Sequence, residues 1–422
     1  MRLFEKGPGF KSGLKDLPKN LNARTMSAGI VSTIFGCTGP CLVVIAAAEA
    51  AGFTLADTVS WVFGIYVFGG LLGAILATYY KMPISGAYSI PGATLMGAAL
   101  AGFTFNQAAF AFIIAGVIVL IIGITGLIGK IMKFLPLEIV MAMVAGAMMK
   151  FGTGIITSTK ADWITCGAAL LAFFLVPKVL KKFPGVLAAL IVGVAVAAIR
   201  GQFTGDLGTI EWVGPHFVVP QFSGKLILSC SIPLAALVMG AENAQAMGVL
   251  KGEGYDVPYN GMTVASGIGG IVSGFFGAHN ANIAGPMTAI CCSNEAGEDK
   301  NGRYAASVFN GITFALFGVV ACYAIGFVKL VPSGLVNVLA GLAMLNVLIG
   351  ALSSAFTSGK FKVGAFFALC TGISGISILK IGCAFWALVI GVVVSLIMEP
   401  QDFGFGKKKE EAEEVVPEEA AE

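Results

Sequence analysis

Long apolar runs separated by short polar breaks follow one another along most of the chain, and their spacing predicts membrane helices. The runs fall at about 27–50, 57–79, 84–101, 106–129, 135–150, 162–177, 183–199, 226–249, 259–276, 280–294, 304–328, 333–355, 361–377 and 380–398. A helix that is apolar on every side belongs in a core or in lipid, and ~20 such residues span the hydrocarbon layer. Several runs are shorter than that, and the third and tenth are also interrupted by Gly and Pro. The longest break, about 200–225, carries Asp206, Glu211, Trp212 and His216 and separates two stretches of nearly equal length. Seven spans per stretch is odd, so the second half enters the membrane in the opposite sense. That is the geometry of an inverted repeat. The pattern therefore predicts an all-α polytopic protein of 14 segments in a 7+7 arrangement. Residues 1–24 form a leader, 25–200 the first repeat, 201–225 a connector, 226–400 the second repeat and 401–422 a tail.

Charge placement agrees with this count. With the N-terminus inside, one set of breaks collects Arg2, Lys6, Lys11, Lys15, Lys19, Arg24, Lys81, Lys130, Lys133, Lys178, Lys181, Lys182, Lys251, Lys300, Arg303, Lys360, Lys362 and Lys407 to Lys409. The other set holds Lys150, Lys160, Arg200, Lys225, Lys329 and Lys380. The excess follows the positive-inside rule and would be scrambled by one missing span. It predicts a multi-pass protein of the cytoplasmic membrane with both ends cytoplasmic, a cytoplasmic leader, an extracytoplasmic connector and a disordered, solvated cytoplasmic tail.

Composition changes the picture only by exclusion. Hydrophobic residues make up 57% of the 422 and charged residues 12%, against about 25% charged in soluble domains, so a water-covered globule is excluded. The 57 glycines suit close helix packing in lipid. A net charge of +3 says little about partners, and no nucleic acid is expected among them. The nine cysteines lie in or beside apolar runs and form no disulfide framework; Cys37 and Cys41 share a helix face without a His or acidic partner. No metal-ligand cluster or nucleophile–base pair supports an enzyme.

Three stretches carry candidate chemistry. In Ala87-Tyr88-Ser89-Ile90-Pro91-Gly92-Ala93-Thr94, Pro91 pushes Ile90 toward extended geometry and suits the first turn of a helix. This predicts a half-helix that starts in mid-membrane, with its N–H groups and positive dipole end facing protein, water or ligand; a Pro-kinked continuous helix is the plain alternative. Gly277-Ala278-His279-Asn280-Ala281-Asn282-Ile283-Ala284-Gly285-Pro286 repeats the logic at the matching place. Two half-helix N-termini meeting at mid-membrane make a place for an anion or polar ring. Asn280 and Asn282 can donate and accept. His279 is a candidate coupling group or a satisfied structural histidine. The third stretch, Gly240-Ala241-Glu242-Asn243-Ala244-Gln245, puts a carboxylate inside a span, which marks a functional site by default. Burial favours the neutral form of a carboxyl, so Glu242 is the candidate proton carrier; a static polar cluster is the alternative. Glu49 and Glu138 read as interfacial. Cys291 and Cys292 are possible cavity residues, with Tyr88 the stronger candidate.

These stretches resemble the benzoate:proton symporter family of the BenE type across nearly all of residues 25–400. The resemblance rests on Ser60-Trp61, on Lys81-Met82-Pro83 leading into Tyr88-Ser89-Ile90-Pro91-Gly92-Ala93, on Ala142-Met143-Val144-Ala145-Gly146 and on Phe151-Gly152. It continues through Asn243, Gly254-Tyr255, Gly277-Ala278-His279, Asn282, Ala289-Ile290, Arg303-Tyr304 and Ala340-Gly341-Leu342-Ala343. It implies the fold shared with the uracil and xanthine transporters and the sulfate-transporter group. A core domain, about 25–130 plus 226–329, would work against a gate domain, about 131–200 plus 330–400, in an elevator-like cycle and commonly as a homodimer. Short third and tenth spans would cross in the core, with substrate between their half-helices. Two departures stand out. The benzoate family usually carries an amide where this chain has Glu242, and the second Glu of the nucleobase transporters aligns with Ala281.

The resulting expectation is a proton-coupled symporter of a small aromatic carboxylate, with no cofactor beyond the coupling proton. Phe35, Tyr88, Ser89, Asn280 and Asn282 are expected at the substrate, with the N–H groups near Gly92 and Gly285 facing its charge. Glu242 is expected to exchange the proton and Gln245 to orient it. A carrier of neutral nucleobase-like heterocycles and an uncoupled anion facilitator are the rivals.

Overall fold

The computed structural model describes residues 5–37, 39–126, 136–180, 183, 185–203, 212–376, 378 and 383–403. Arg2, Lys130, Lys133, Lys181, Lys182, Asp206, Glu211, Lys380 and the tail from residue 404 lie outside the described residues.

A short amphipathic helix, α1 (Phe10–Asn20), precedes the apolar helices. The first half continues with α2 (Ala23–Cys37), α3 (Gly39–Ala51), α4 (Leu55–Tyr80), strand β1 (Gly86–Tyr88) and α5 (Ile90–Ala99). It closes with α6 (Phe105–Thr125), α7 (Leu137–Ala161), α8 (Thr165–Val179) and α9 (Gly185–Ile199). The second half begins with α10 (Gly224–Gly252), whose ladder is widened by π turns at Ile227–Ser231 and Val238–Asn243. It continues with α11 (Tyr259–Gly274), strand β2 (Ala281–Ile283), α12 (Gly285–Cys292) and α13 (Tyr304–Leu330). Helices α14 (Ser333–Phe356), α15 (Lys362–Ser374) and α16 (Cys383–Met398) complete it. Among the described residues, six helices are long and apolar enough to cross a membrane. Leu71, Ile75, Ile121, Leu171, Phe174, Ile191, Leu316 and Ile397 project from the bundle, as expected where the surrounding medium is lipid.

Local sequence explains the helix ends. Thr54 with Asp57, and Thr104 with Gln107, form reciprocal capping boxes at the starts of α4 and α6. Pro91 and Pro286 lie in the first turns of α5 and α12, where a missing N–H costs nothing. One expectation fails at α7. The predicted run stopped at residue 150, but the helix continues to Ala161, so Lys150 lies within it and not in a connecting break. Thr, Ser and Lys residues in 150–160 lower the hydropathy, yet the helix continues through them, and Lys150, Thr153, Thr157 and Ser158 line cavities.

Packing is paired. Helix α4 lies on α13 and α6 on α11, while α2 lies on α13 and α3 on α5. Separately, α7 packs on α14 and α15, α15 on α16 and α8 on α9. Between them the two short strands run antiparallel in mid-bundle, with Ala87 opposite Asn282. This pairing satisfies backbone groups that lipid could not. Gly73 of α4 allows the approach of β1, since a Cβ there would strike the Gly86 backbone. Part of the connector, 212–223, covers one end of this bundle. Val218 N–H donates to Phe275 O at 2.7 Å, and Ser60 Oγ donates to His216 O at 2.9 Å.

A candidate transport site at two half-helix ends

Strands β1 and β2 deliver the chain to the starts of α5 and α12 from opposite directions, which brings the two N-termini together. Ser89 caps α5: its Oγ accepts from Gly92 N–H at 3.0 Å. Ala284 gives α12 no side-chain cap. Glu242 supplies what is missing. It sits in the second π turn of α10, 3% exposed. Its Oε1 accepts from Ile90 N–H at 3.3 Å and its Oε2 from Gly285 N–H at 3.2 Å. One carboxylate therefore joins both half-helix ends, where partial positive charge and free N–H groups favour an anion.

Beside Glu242 opens a cavity of about 420 Å³, within the ~300–1,000 Å³ of small-molecule sites. Phe35, Ile90, Pro91, Glu242, Gln245 and Pro286 line one wall. Leu137, Met141 and Val144 of α7, with Asn346, Gly350, Ala351 and Ser354 of α14, line the other. The site is mostly apolar, with one carboxylate and a few amide and hydroxyl groups.

Of the predicted residues, Phe35, Glu242 and Gln245 meet at this cavity. Gln245 packs over Gly285, where a Cβ would collide with its side chain; no hydrogen bond joins it to Glu242 among the described residues. The remainder stand behind the site and do not line the cavity. Tyr88 is 1% exposed, and its hydroxyl shares a proton with Tyr66 Oη at 3.0 Å. Both tyrosines point to Gly36 O, an orphan carbonyl in the last turn of α2. Strand alternation explains this: Tyr88 falls on the face turned toward α2 and α4. Ser89 is committed as a cap. The Gly92 and Gly285 N–H groups, expected to face the substrate's charge, are occupied by Ser89 and Glu242.

Asn280 and Asn282 are fully buried, and their side-chain amides have no hydrogen-bond partner among the described residues. Asn280 has φ +87° and rests its amide oxygen where a Cβ of Gly270 would be, so it points between α6 and α11. Nearby serines hold the second strand: Ser273 Oγ accepts from Ala281 N–H at 3.0 Å and Ser266 Oγ from Ile283 N–H at 3.2 Å. His279 accepts from Trp61 Nε1–H at Nδ1 (2.6 Å), so its proton resides on Nε2, which donates to Ser89 O at 2.9 Å. Both ring nitrogens are thus engaged in structure. Cys291 and Cys292 are buried away from the cavity.

Sequence reasoning missed the far wall. Leu137, Met141 and Val144 recur at i, i+4 and i+7, and Asn346, Gly350 and Ser354 at i, i+4 and i+8, which places each set on one helix face. The second set combines small and polar residues within an apolar run, a signal that could have been read.

Comparison with known proteins agrees with this architecture. The model of the BenE family, described as "Benzoate membrane transport protein", matches residues 19–397. The inner membrane protein YdcO of Escherichia coli (strain K12) is 30% identical over 374 residues, covering 89% of this chain and 95% of that protein. The benzoate membrane transport protein of Acinetobacter baylyi is 26% identical over 385 residues, covering 91% and 98%. Among solved structures, the transmembrane domain of the cyanobacterial bicarbonate transporter BicA superposes with a TM-score of 0.58 at 16% identity, over 89% of this chain and 96% of that one. Murine Slc26a9, an anion transporter captured facing inward, gives 0.59 at 15% identity, over 91% and 70%. At these identities the structural likeness speaks for the fold alone.

Proposed function

Since the chain belongs to the benzoate membrane transport protein family, we propose that it is a secondary transporter that carries a small aromatic carboxylate together with a proton. The observation that carries this reading is the double contact of Glu242 with Ile90 N–H and Gly285 N–H at the wall of an apolar cavity. An ionised Glu242 occupies the donors that a substrate carboxylate needs. The two anions compete for one pair of half-helix ends, and like charges this close repel. Protonation of Glu242 removes its charge and weakens its hold, which frees the N–H groups for the substrate. A carboxylate therefore enters with a proton, while its ring lies against Phe35, Met141 and Val144. Gln245 borders the exchanging groups. Tyr88, Ser89, Asn280 and Asn282 act here as the frame that fixes the two ends.

Alternating access follows in this reading from a core of α2–α6 and α10–α13 moving against a gate of α7–α9 and α14–α16. The 7+7 arrangement is supported by correspondence at a displacement of about 195 residues: α5 with α12, α7 with α14, α8 with α15 and Pro91 with Pro286. The pairings α4–α13 and α6–α11 exchange under that displacement. The proposal includes fourteen spans with both ends cytoplasmic in a bacterial-type inner membrane, an elevator-like cycle and a homodimer.

A second reading draws on the same carboxylate. Glu242 faces the cavity and could accept from the ring N–H groups of a neutral nucleobase-like heterocycle. Thermal unfolding of the purified protein with benzoate, benzamide, uracil and xanthine, each at about pH 5.5 and 7.5, separates the two. A ligand at 100 times its Kd stabilises by about 2.7 kcal/mol. Stabilisation by benzoate that grows at the lower pH is the expected result; stabilisation by heterocycles alone would replace the substrate class. In proteoliposomes, Glu242→Gln is expected to abolish accumulation driven by a pH gradient while benzoate exchange persists. Undiminished pH-driven accumulation in that variant rejects the coupling role, and its absence in the parent chain identifies an uncoupled facilitator.

A further inference from the structure

Farther along half-helix α5 from the Glu242 cavity, a lysine stands between two smaller cavities. The Glu242 cavity touches the start of α5 at Ile90 and Pro91. A cavity of about 230 Å³ instead touches its later residues, from Thr94 to Ala99, and reaches across to α7, α10, α15 and the start of α16 at Cys383. A second, of about 250 Å³, lies between α3, α5, α7 and α14. Lys150 lines both. No carboxylate lines either cavity, and Lys150 forms no ion pair within the described residues; its ammonium lies 5.5 Å from the Phe151 ring. A lysine inside an apolar helix is costly, and lysines of this kind line water-filled pathways or meet a counter-charge.

A second observation points to a ligand. Ser229, in the first π turn of α10, is 1% exposed, and its Oγ has no hydrogen-bond partner among the described residues. It lines the 230 Å³ cavity, as Lys150 does. The other hydroxyls there are engaged: Thr94 donates to Pro91 O at 2.7 Å, and Thr153 lies within reach of the Met149 and Lys150 carbonyls. An ammonium and one unpartnered hydroxyl at the wall of a small, mostly apolar space, with the Cys383 thiol as a further polar group, match a carboxylate carried on a small apolar body. We propose that Lys150 and Ser229 form a second carboxylate subsite, on the stretch of path not served by Glu242. The subsite binds the monocarboxylate in its anionic form. It rests on the transport reading only for the identity of the probe, benzoate.

The test uses the purified full chain. Lysines are reductively methylated with formaldehyde, and peptides containing Lys150 and Lys160 are followed by mass spectrometry. Benzoate is expected to slow modification of Lys150 severalfold and leave Lys160 unchanged, while neutral benzamide protects neither. No protection by saturating benzoate, or equal protection by benzamide, overturns the subsite. Uptake of labelled benzoate by proteoliposomes separates this inference from the transport reading. Protection without uptake sinks transport and leaves the subsite standing; uptake without protection does the reverse. In a transporting protein, Lys150→Gln should raise KM about tenfold, as expected for loss of a charge-assisted contact, while Lys150→Arg retains most of the affinity. An unchanged KM in Lys150→Gln counts against the site.

Discussion

At the scale of single residues, the site divides into groups that face the cavity and groups that fix those that do. Glu242 is of the first kind and His279 of the second. The imidazole accepts from Trp61 and donates to Ser89 O, so it fastens the extended segment before α5 to the interior of α4. Taking up a proton at Nδ1 would break the Trp61 contact. His279→Phe leaves an indole N–H and a carbonyl unpaired in the interior, at a cost of about 1–3 kcal/mol for each orphaned group. Lower thermal stability is therefore expected, but the protein that remains folded should keep the parent's ratio of benzoate uptake between acid and neutral pH. His279→Gln, which offers a donor and an acceptor, should recover part of the stability. Should the pH ratio collapse in His279→Gln while stability is retained, the histidine carries protons after all.

At the scale of elements, what could be read from the chain depended on whether the signal was local. The interruption of two apolar runs by Pro91 and Pro286 is local, and α5 and α12 start where those prolines stand. The membrane carboxylate was equally visible. The hydrogen bonds of Glu242 were not, since they join positions 152 and 43 residues away, and no local pattern encodes that meeting. Tyr88 was misplaced for a related reason: a residue in a broken segment can face either side, and strand alternation turned this one toward Gly36. Lys150 was misplaced because a charge in an apolar run resembles a boundary. The turn between α7 and α8 shows how an element end outside the apolar helices is held. Burial raises the Asp162 carboxyl, but contacts from Gln202, the Thr165 N–H and Arg200 outweigh it and hold it below the usual carboxylate range. Its stabilising contribution is thus present above the ordinary aspartate value, ~3.9, and is lost as pH falls through the lower folded value. Asp162→Asn should lower the unfolding temperature at neutral pH by a few degrees and flatten its decline in acid. Equal unfolding temperatures of variant and parent at neutral pH would mean the cluster contributes nothing.

At the scale of the whole molecule, the cavities report a direction. In the proposed topology, α14 begins at the outer face with Ser333 and ends at the inner face with Phe356. The Glu242 cavity takes its α14 lining from Asn346, Gly350 and Ser354, in the later half of that helix, and its α7 lining from Leu137 and Met141, in the earliest turns. In that proposed topology both belong to the cytoplasmic side, which would make the Glu242 site face inward. The 250 Å³ cavity beside Lys150 takes Asn337 from the start of α14 and Thr157 and Ser158 from the end of α7, which in the same topology belong to the outer side. This assignment has a direct consequence for labelling from the two faces of oriented vesicles. In Ser354→Cys, a membrane-impermeant thiol reagent should modify the new cysteine from the cytoplasmic face, and benzoate should slow the reaction. In Asn337→Cys, the same reagent should act from the outer face. Peptide mass spectrometry distinguishes each site from the native cysteines. Modification of both positions from one face would refute the opposed orientation of the two cavities, and with it the inverted seven-plus-seven topology on which alternating access depends.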